Sequence, residues 1–500
     1  MRLHHYNTLS EPQFTDDFIN PQRRLILNHY FAPLLEANLP ISMLITHAQS
    51  QPFKRLAAPY LTILLTLFYI LTASSSLVHA QSSSEGIDVI VQPSQVARTT
   101  IATPPPINVG SSPDTIGLSE QVIGTLNQSL NISGYFDLLE RELYPGDFAS
   151  EGMKPKITGW FNAGAQGLVK SSFEISGRQI KLSLKLFDID QKRLIALSEG
   201  VDQEVLLPSN PKVIRAHIHR FVNQVIKFYT GSAGFLGSRI AAVRKGSKGK
   251  NIVYVSADGR SVESVIRGGG INLLPHLASG QLYFTSFRNG GAHLFTYQRG
   301  KVKGISARKG INMGGVLSPN GRLLAAVLSY QGSSDIYLLN PKSGEILRRL
   351  TRHKSIDVSP TWSPDGRRIA FVSDRDGSSQ IWVMNANGSG KRRITFKGQY
   401  NQSPSWSPKG DLIAYTGRDE KFAFDIFTVD PNNPQKLTRL TQNQGKNEEP
   451  SFSPDGRHIV FSSSRTGRSE LYIMTIDGFT QRQLTRGGGY LSPSWERSQR

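Results

Sequence analysis

Residues 358–395 read VSPTWSPDGRRIAFVSDRDGSSQIWVMNANGSGKRRIT, and this stretch decides the fold. It holds a turn-rich start, two short apolar strands and a closing basic strand. The tetrad Ser363-Pro364-Asp365-Gly366 returns as Ser318-Pro319-Asn320-Gly321, Ser407-Pro408-Lys409-Gly410 and Ser453-Pro454-Asp455-Gly456, at steps of 45, 44 and 46 residues. A period of about 40–45 residues with about four strands per unit is the mark of a β-propeller.

Aligning the units on the first apolar residue of their second strands gives Ile240, Leu282, Leu324, Ile369, Ile413 and Ile459, and third strands begin at Ile252, Leu294, Ile336, Ile381, Ile426 and Leu471. The count is six blades. The inner strand of a blade is the segment before the tetrad, as in Pro360-Thr361-Trp362, Pro404-Ser405-Trp406 and Pro450-Ser451-Phe452. The first unit lacks that segment, while Pro493-Ser494-Trp495 stands at the C-terminus with no second strand after it. The two defects complement each other, so residues 492–495 are expected to complete the first blade and leave no open sheet edge. The aromatics at 362, 406, 452 and 495 are read as packing between blades.

Because strands alternate in direction, the connections fall on two faces. The tetrad turns and the third-to-fourth turns share one. The second-to-third turns and the inter-blade loops share the other, which carries Arg288, Arg375, Arg418 and Arg465 in its turns. Its loops carry Asn312, Asp357, Asn401, Gln402, Asn447, Glu448 and Glu449. Loops around a channel mouth are the usual binding surface of such a scaffold. The recurring arginines are either part of that surface or stabilisers of their own turns.

Upstream, Lys54-Arg55, the apolar run 61–71 and the small residues ending at Ala80 have the form of a secretory leader cleaved after Ala80. Met43 then reads as the start, giving a leader over 43–80 and a non-native extension over 1–42; the alternative is an uncleaved anchor. The mature form is expected to have no transmembrane span, because the run is short for one. Residues 81–231 read as an α+β domain. A helix starts near Ser112-Pro113-Asp114, with Leu118, Val122, Leu126 and Leu130 at four-residue steps, and ends at Gly134. A hairpin turns at Ser176-Gly177, and a second helix after Pro208-Ser209-Asn210-Pro211 carries a stripe from Ile214 to Tyr229. His217 and His219 on it are two apart, which does not suit two ligands on one helix face, and they are read as solvated. Residues 232–500 form the propeller. The fold class is thus an α+β N-terminal domain followed by an all-β six-bladed β-propeller.

The chain has no cysteine, which excludes disulfides, thiol nucleophiles and thiolate metal sites. Its formal net charge of +20 is unevenly placed: residues 232–500 carry 39 Lys/Arg against 19 Asp/Glu, whereas residues 81–231 carry 14 against 15. The excess serves solubility, or it makes a basic disc for acidic proteins, anionic glycans or a membrane surface. Export argues against nucleic acid. No nucleophile elbow, zinc-protease pair or phosphate loop is present, so no enzyme activity, cofactor or metal is expected. Asp374 and Asp376-Gly377 are read as a hairpin turn, since the twelve-residue calcium-ligand series is missing.

The leader, the α+β domain of about 150 residues, the junction Thr230-Gly231-Ser232-Ala233-Gly234-Phe235 running into Arg239-Ile240-Ala241, and the six repeats together resemble the TolB family of the Tol–Pal system over roughly residues 85–495. That resemblance implies a periplasmic scaffold without catalysis, which maintains outer-membrane integrity and invagination during cell division. It implies that a segment at Glu85, Ile87, Val89 and Val91 contacts the inner-membrane protein TolA. It also implies that the peptidoglycan-associated lipoprotein Pal binds the inter-blade-loop face, near Asn272, Asn312, Asp357, Asn401, Gln402, Asn447 and Glu448, with Arg375 and Arg465. Other outer-membrane or peptidoglycan-associated proteins are further candidate partners. The alternative expectation is an exported propeller that binds anionic glycan or lipopolysaccharide through its basic disc.

Overall fold

The computed structural model describes residues 98–197, 201, 204–268, 270–418 and 423–497. The expected extension, leader and cleavage at Ala80, and the segment with Glu85, Ile87, Val89 and Val91, lie outside the described residues. Among the described residues no helix is long and apolar enough to cross a membrane.

The N-terminal module is a seven-stranded mixed sheet flanked by helices. Its strands are β1 (Thr99–Ala102), β2 (Ile107–Asn108), β3 (Phe136–Leu138), β4 (Gly167–Ser176), β5 (Gln179–Asp188), β6 (Arg193–Ile195) and β7 (Val205–Pro208). The main order is β3-β1-β4-β5-β6, with β2 beside β4 and β7 beside β5. Pairing of β1 with β3 and β4 is parallel, whereas β4 and β5 form the hairpin expected at Ser176-Gly177. Helices α1 (Leu118–Ser133) and α3 (Pro211–Thr230) cover the sheet, and a short α2 (Ile157–Asn162) lies between them in sequence. Local chemistry sets the helix ends. The Asp114 carboxylate accepts from the N–H groups of Leu118 and Ser119, both at 2.8 Å, satisfying two donors that the first turn leaves open. Asn210 caps α3, and Pro211 takes a first-turn position where no N–H is needed. Ile180, Leu182, Leu184 and Leu186 on β5 meet Leu118, Val122, Leu126 and Leu130 of α1 and Ile214, Ile218 and Val222 of α3 in one core.

One expectation about α3 is overturned. His217 and His219 are buried, not solvated. For His219 the cause is that α3 packs on the ring as well as on its own sheet. His219 Nε2 lies 3.1 Å from the carboxylate of Asp258, which belongs to a propeller turn. Burial, together with the nearby Arg220 charge, pushes His217 down to about 4, so it is held neutral.

The propeller consists of six four-stranded antiparallel sheets. Its inner strands are Asn272–Ala278, Asn312–Leu317, Asp357–Trp362, Tyr400–Trp406, Asn447–Phe452 and Tyr490–Trp495. The last of these pairs with Arg239–Gly246 and sets Trp495 opposite Ile240, so the first blade is built from both ends of the ring's sequence. Three of the four tetrad turns, those with Asn320, Asp365 and Asp455, share one design, which Lys409 cannot make in the fifth blade. In the fourth blade the Ser363 hydroxyl donates to Asp365 and accepts from the Arg368 N–H, while Asp365 accepts from the Arg367 N–H. Trp362, Trp406, Phe452 and Trp495 are each at most 1 % exposed, and Trp362 joins Leu338 and Leu350 of the preceding blade to Ile369 and Phe371 of its own.

The N-terminal module sits on the tetrad face. Its polar contacts reach tetrad and third-to-fourth turns and the strand ends beside them: His219 to Asp258, Gln128 to the Asp258 carbonyl, Arg98 to Thr480, Asn131 to Arg482, and the Ser133 carbonyl to His458. Arg457 in turn donates to Ser232 and to the Thr230 carbonyl. The module's core is continuous with Phe235, Val460, Ile473 and Trp495. Among the described residues its contacts leave the inter-blade-loop face uncovered.

Candidate partner-binding face

The face opposite the module is held flat by a belt of buried polar side chains. At the start of the third strand, Asp335, Gln380, Asp425 and Glu470 recur in blades three to six, first in the strand except for Asp425, which follows Phe424, and each is buried. Each accepts from the hydroxyl of a threonine two residues past the fourth strand, Thr351, Thr395, Thr441 or Thr485, at 2.6–3.0 Å. The same hydroxyls accept from the N–H groups of Ile336, Ile381, Ile426 and Leu471. The belt also crosses between blades, because Asn401 donates to Gln380 and Asn447 donates to Asp425.

This arrangement corrects the placement of the sequence-derived candidates. Asn272, Asn312, Asp357, Asn401, Gln402 and Asn447 do not stand in open loops; they lie in the inner strands and are at most 2 % exposed. The physical reason is that each inter-blade loop must deliver its backbone groups into a buried strand start. Asn272 donates to the Gly268 carbonyl, Asn312 to Arg308, Asn401 to Lys397 and Asn447 to Gly445. A short amide side chain satisfies those carbonyls where water cannot. The arginines of the neighbouring turns are tied to the same posts. Arg288, Arg375 and Arg465 each donate through Nε to the serine two residues before, at 2.8–3.0 Å. Their far nitrogens reach Asn272, Asp357 and Asn447. Arg375 stacks over Trp382 at 4.7 Å and Arg465 over Tyr472 at 4.3 Å. Burial pushes the Asp357 carboxyl up, against the hydrogen bonds from Ser373 and Arg375. Of the two readings of the recurring arginines, turn stabilisation describes these three directly.

Nearer the channel, the inner strands share a feature that the sequence reading missed. Leu274, Gly314, Ser359, Ser403, Glu449 and Ser492 occupy the same position in six blades, and all have φ between 47° and 65°. A β-bulge accompanies each. Five of them precede a proline, which disfavours helical backbone and makes a left-handed residue there costly. The bulge turns backbone N–H groups toward the preceding blade: Gly314 donates to Thr285, Glu449 to Thr416, and Ser492 to the Glu449 carboxylate. Serine hydroxyls then link consecutive inner strands, accepting from Phe452 at Ser405, from Trp495 at Ser451 and from Leu277 at Ser494. The last bond crosses the ring's closure. The signal was present as the recurring x-Pro-(Ser/Thr)-aromatic segment, but a strand pattern alone does not announce a positive φ.

Glu448 and Glu449 are adjacent at this wall, half-buried. Burial first, and then the Glu449 charge, pushes Glu448 up to about 7. Among the described residues no group of three or more His, Cys, Asp or Glu could hold a metal ion. The arrangement presents a rim of hydrogen-bonded side chains.

Comparison with known proteins gives consistent findings. Residues 226–499 match the TolB beta propeller domain and residues 87–195 the TolB amino-terminal domain. A Tol-Pal system protein TolB from Desulfosudis oleivorans is 36% identical over 244 residues, covering 45% of this chain and 51% of that protein. The chain thus spans about half the length of that relative, and 61% of a Desulfotalea psychrophila relative that is 27% identical. A Tol-Pal system protein TolB from Anaeromyxobacter dehalogenans is 34% identical, with 75% of this chain and 86% of that protein covered. The crystal structure of TolB from Acinetobacter baumannii superposes with a TM-score of 0.69 at 23% identity, covering 80% of this chain and 97% of that one, which supports the fold.

Proposed function

The chain belongs to the TolB family, and from that membership we propose that it is a non-catalytic periplasmic scaffold of the Tol–Pal system. In this reading the inter-blade-loop face binds the lipoprotein Pal, and the segment with Glu85, Ile87, Val89 and Val91 engages TolA. Joining the two supports outer-membrane integrity and invagination during division. The observation that carries the proposal is the asymmetry of the ring: the α+β module occupies tetrad-face turns through His219–Asp258 and Arg457, while the opposite face keeps its loops uncovered among the described residues.

The buried residues of that face act in this account as posts. Asn272, Asn312, Asp357, Asn401, Gln402 and Asn447, with Arg375 and Arg465, fix the loops, and exposed neighbours in those loops make the contacts. Glu448 follows Asn447 in the same inner strand. Partner binding at one end alters binding at the other if the N-terminal segment favours one state of the ring. The test is to delete residues 81–92 and titrate with Pal. A changed affinity is expected, and an unchanged one would remove the coupling from the account.

A further inference from the structure

The positive charge of the ring has a definite geometry. Each of the six inter-blade loops presents an exposed Lys or Arg: Arg267, Lys309, Arg352, Lys397, Lys446 and Arg486. All six loops lie on the face opposite the α+β module. The loops are pinned to the neighbouring turns, as where Ile311 donates to Ser329, Ile356 to Asp374 and Lys446 to Ser464, so the cations are carried on fixed backbone. Among the described residues none of the six forms an ion pair, and these inter-blade loops hold no exposed acid. Two exposed aromatics stand among them on the same face, Phe396 beside Lys397 at 58 % exposure and Tyr330 in the third blade at 37 %.

We propose that this ring of loop cations is a docking surface for an anionic membrane leaflet, recognised through its phosphate-bearing headgroups. Six cations spread around a circle, in place of a line, fit a flat field of negative charge better than a rod-like polyanion. A flat leaflet meets all the loops at once. Aromatic side chains interleaved with cations are the composition that settles at headgroup depth. Each cation brought to an anionic surface strengthens attachment by about fivefold at moderate ionic strength, and the attraction is screened over a Debye length. The inference goes beyond Pal binding. It gives the same face a second ligand, so lipid and Pal would exclude one another.

The experiment is co-sedimentation of the full chain with phosphatidylglycerol-rich vesicles and with phosphatidylcholine vesicles, across a salt series. Binding to the anionic vesicles alone, falling as salt rises, is expected. The triple variant Lys309→Gln, Lys397→Gln and Lys446→Gln should lose on the order of a hundredfold in partition. A second triple variant, Arg322→Gln, Arg367→Gln and Lys409→Gln, removes the same charge from exposed tetrad-face positions and should bind as the parent does. Equal binding to neutral vesicles, no binding by the parent chain, or equal losses in both triple variants would overturn the proposal. If the parent chain ignores vesicles but binds Pal in a salt-dependent way, the face reads an acidic protein instead and only the membrane proposal falls.

Discussion

Trp495 couples the ring's closing strand to the inter-domain junction, and replacing it with alanine measures that coupling. The side chain is 1 % exposed, its ring meets Phe235 edge-on at 5.3 Å, and its Nε1–H donates to Ser238 at 2.8 Å. Removing a buried Trp costs about 3–5 kcal/mol in transfer and cavity terms. The lost aromatic pair adds about 1 kcal/mol. The lost hydrogen bond adds little more, because Ser238 keeps its own bond to the Phe235 carbonyl. A total near 5 kcal/mol is a large part of an ordinary domain's stability. Trp406→Ala is the control. That side chain is equally buried, but its indole donates within its own blade, to Gly410, and it stacks under Arg368. In urea denaturation followed by far-ultraviolet circular dichroism and by fluorescence, both variants should lose several kcal/mol. Only Trp495→Ala should separate the two signals into successive transitions, as the module and ring stop unfolding together. A loss under about 1 kcal/mol, or a split in the Trp406 variant alone, would refute the reasoning.

Three further outcomes follow from the geometry. Gly344 has φ 73°, and a Cβ there would stand 1.8 Å from the Ile305 carbonyl oxygen of the preceding blade, so Gly344→Ala should cost at least about 2 kcal/mol in denaturation. Gly332→Ala, at φ 107° with open space around it, should cost only the conformational part. Arg375→Ala strands the buried Asp357 carboxylate and should cost about 3 kcal/mol; adding Asp357→Ala should recover part of the loss, whereas simple addition of the two losses would contradict the pairing. Glu448, raised to about 7 from an unfolded value near 4.3, favours the folded state while protonated, and that contribution is lost as pH rises from about 4 through 7. Glu448→Gln should therefore stabilise the chain relative to the parent by up to about 3 kcal/mol more at pH 8 than at pH 4, and a pH-independent difference would show that Glu448 titrates normally.

Much of this architecture is legible in the repeat. The spacing of Ser-Pro-Asp-Gly turns and the apolar starts at Ile369, Ile413 and Ile459 depend on local pattern, which a sequence carries openly. The site was less legible, for a physical reason. Asn272, Asn312, Asn401 and Asn447 look like surface residues because isolated amides favour water, yet here they satisfy carbonyls two to four residues earlier in their own loops, and Asn401 and Asn447 also reach Gln380 and Asp425 of the preceding blade, which no local pattern announces. The threonines at 351, 395, 441 and 485 recur at one repeat position, and so do Asp335, Gln380, Asp425 and Glu470 at another. Polar residues repeating at an otherwise apolar strand start were the clue to the belt. His219 was misplaced because the face of α3 that meets Asp258 is defined by the ring, not by the helix.

The central claim is that partners meet the ring on its inter-blade-loop face. Calorimetric titration with Pal from the same organism tests it most directly, using the parent chain and two charge-reversed forms. Lys309→Glu, Lys397→Glu and Lys446→Glu alter the loop face, whereas Arg322→Glu, Arg367→Glu and Lys409→Glu alter the tetrad face. The account predicts that the first set weakens Pal at least about tenfold while the second leaves it unchanged. Loss of binding in the second set with retention in the first would contradict it.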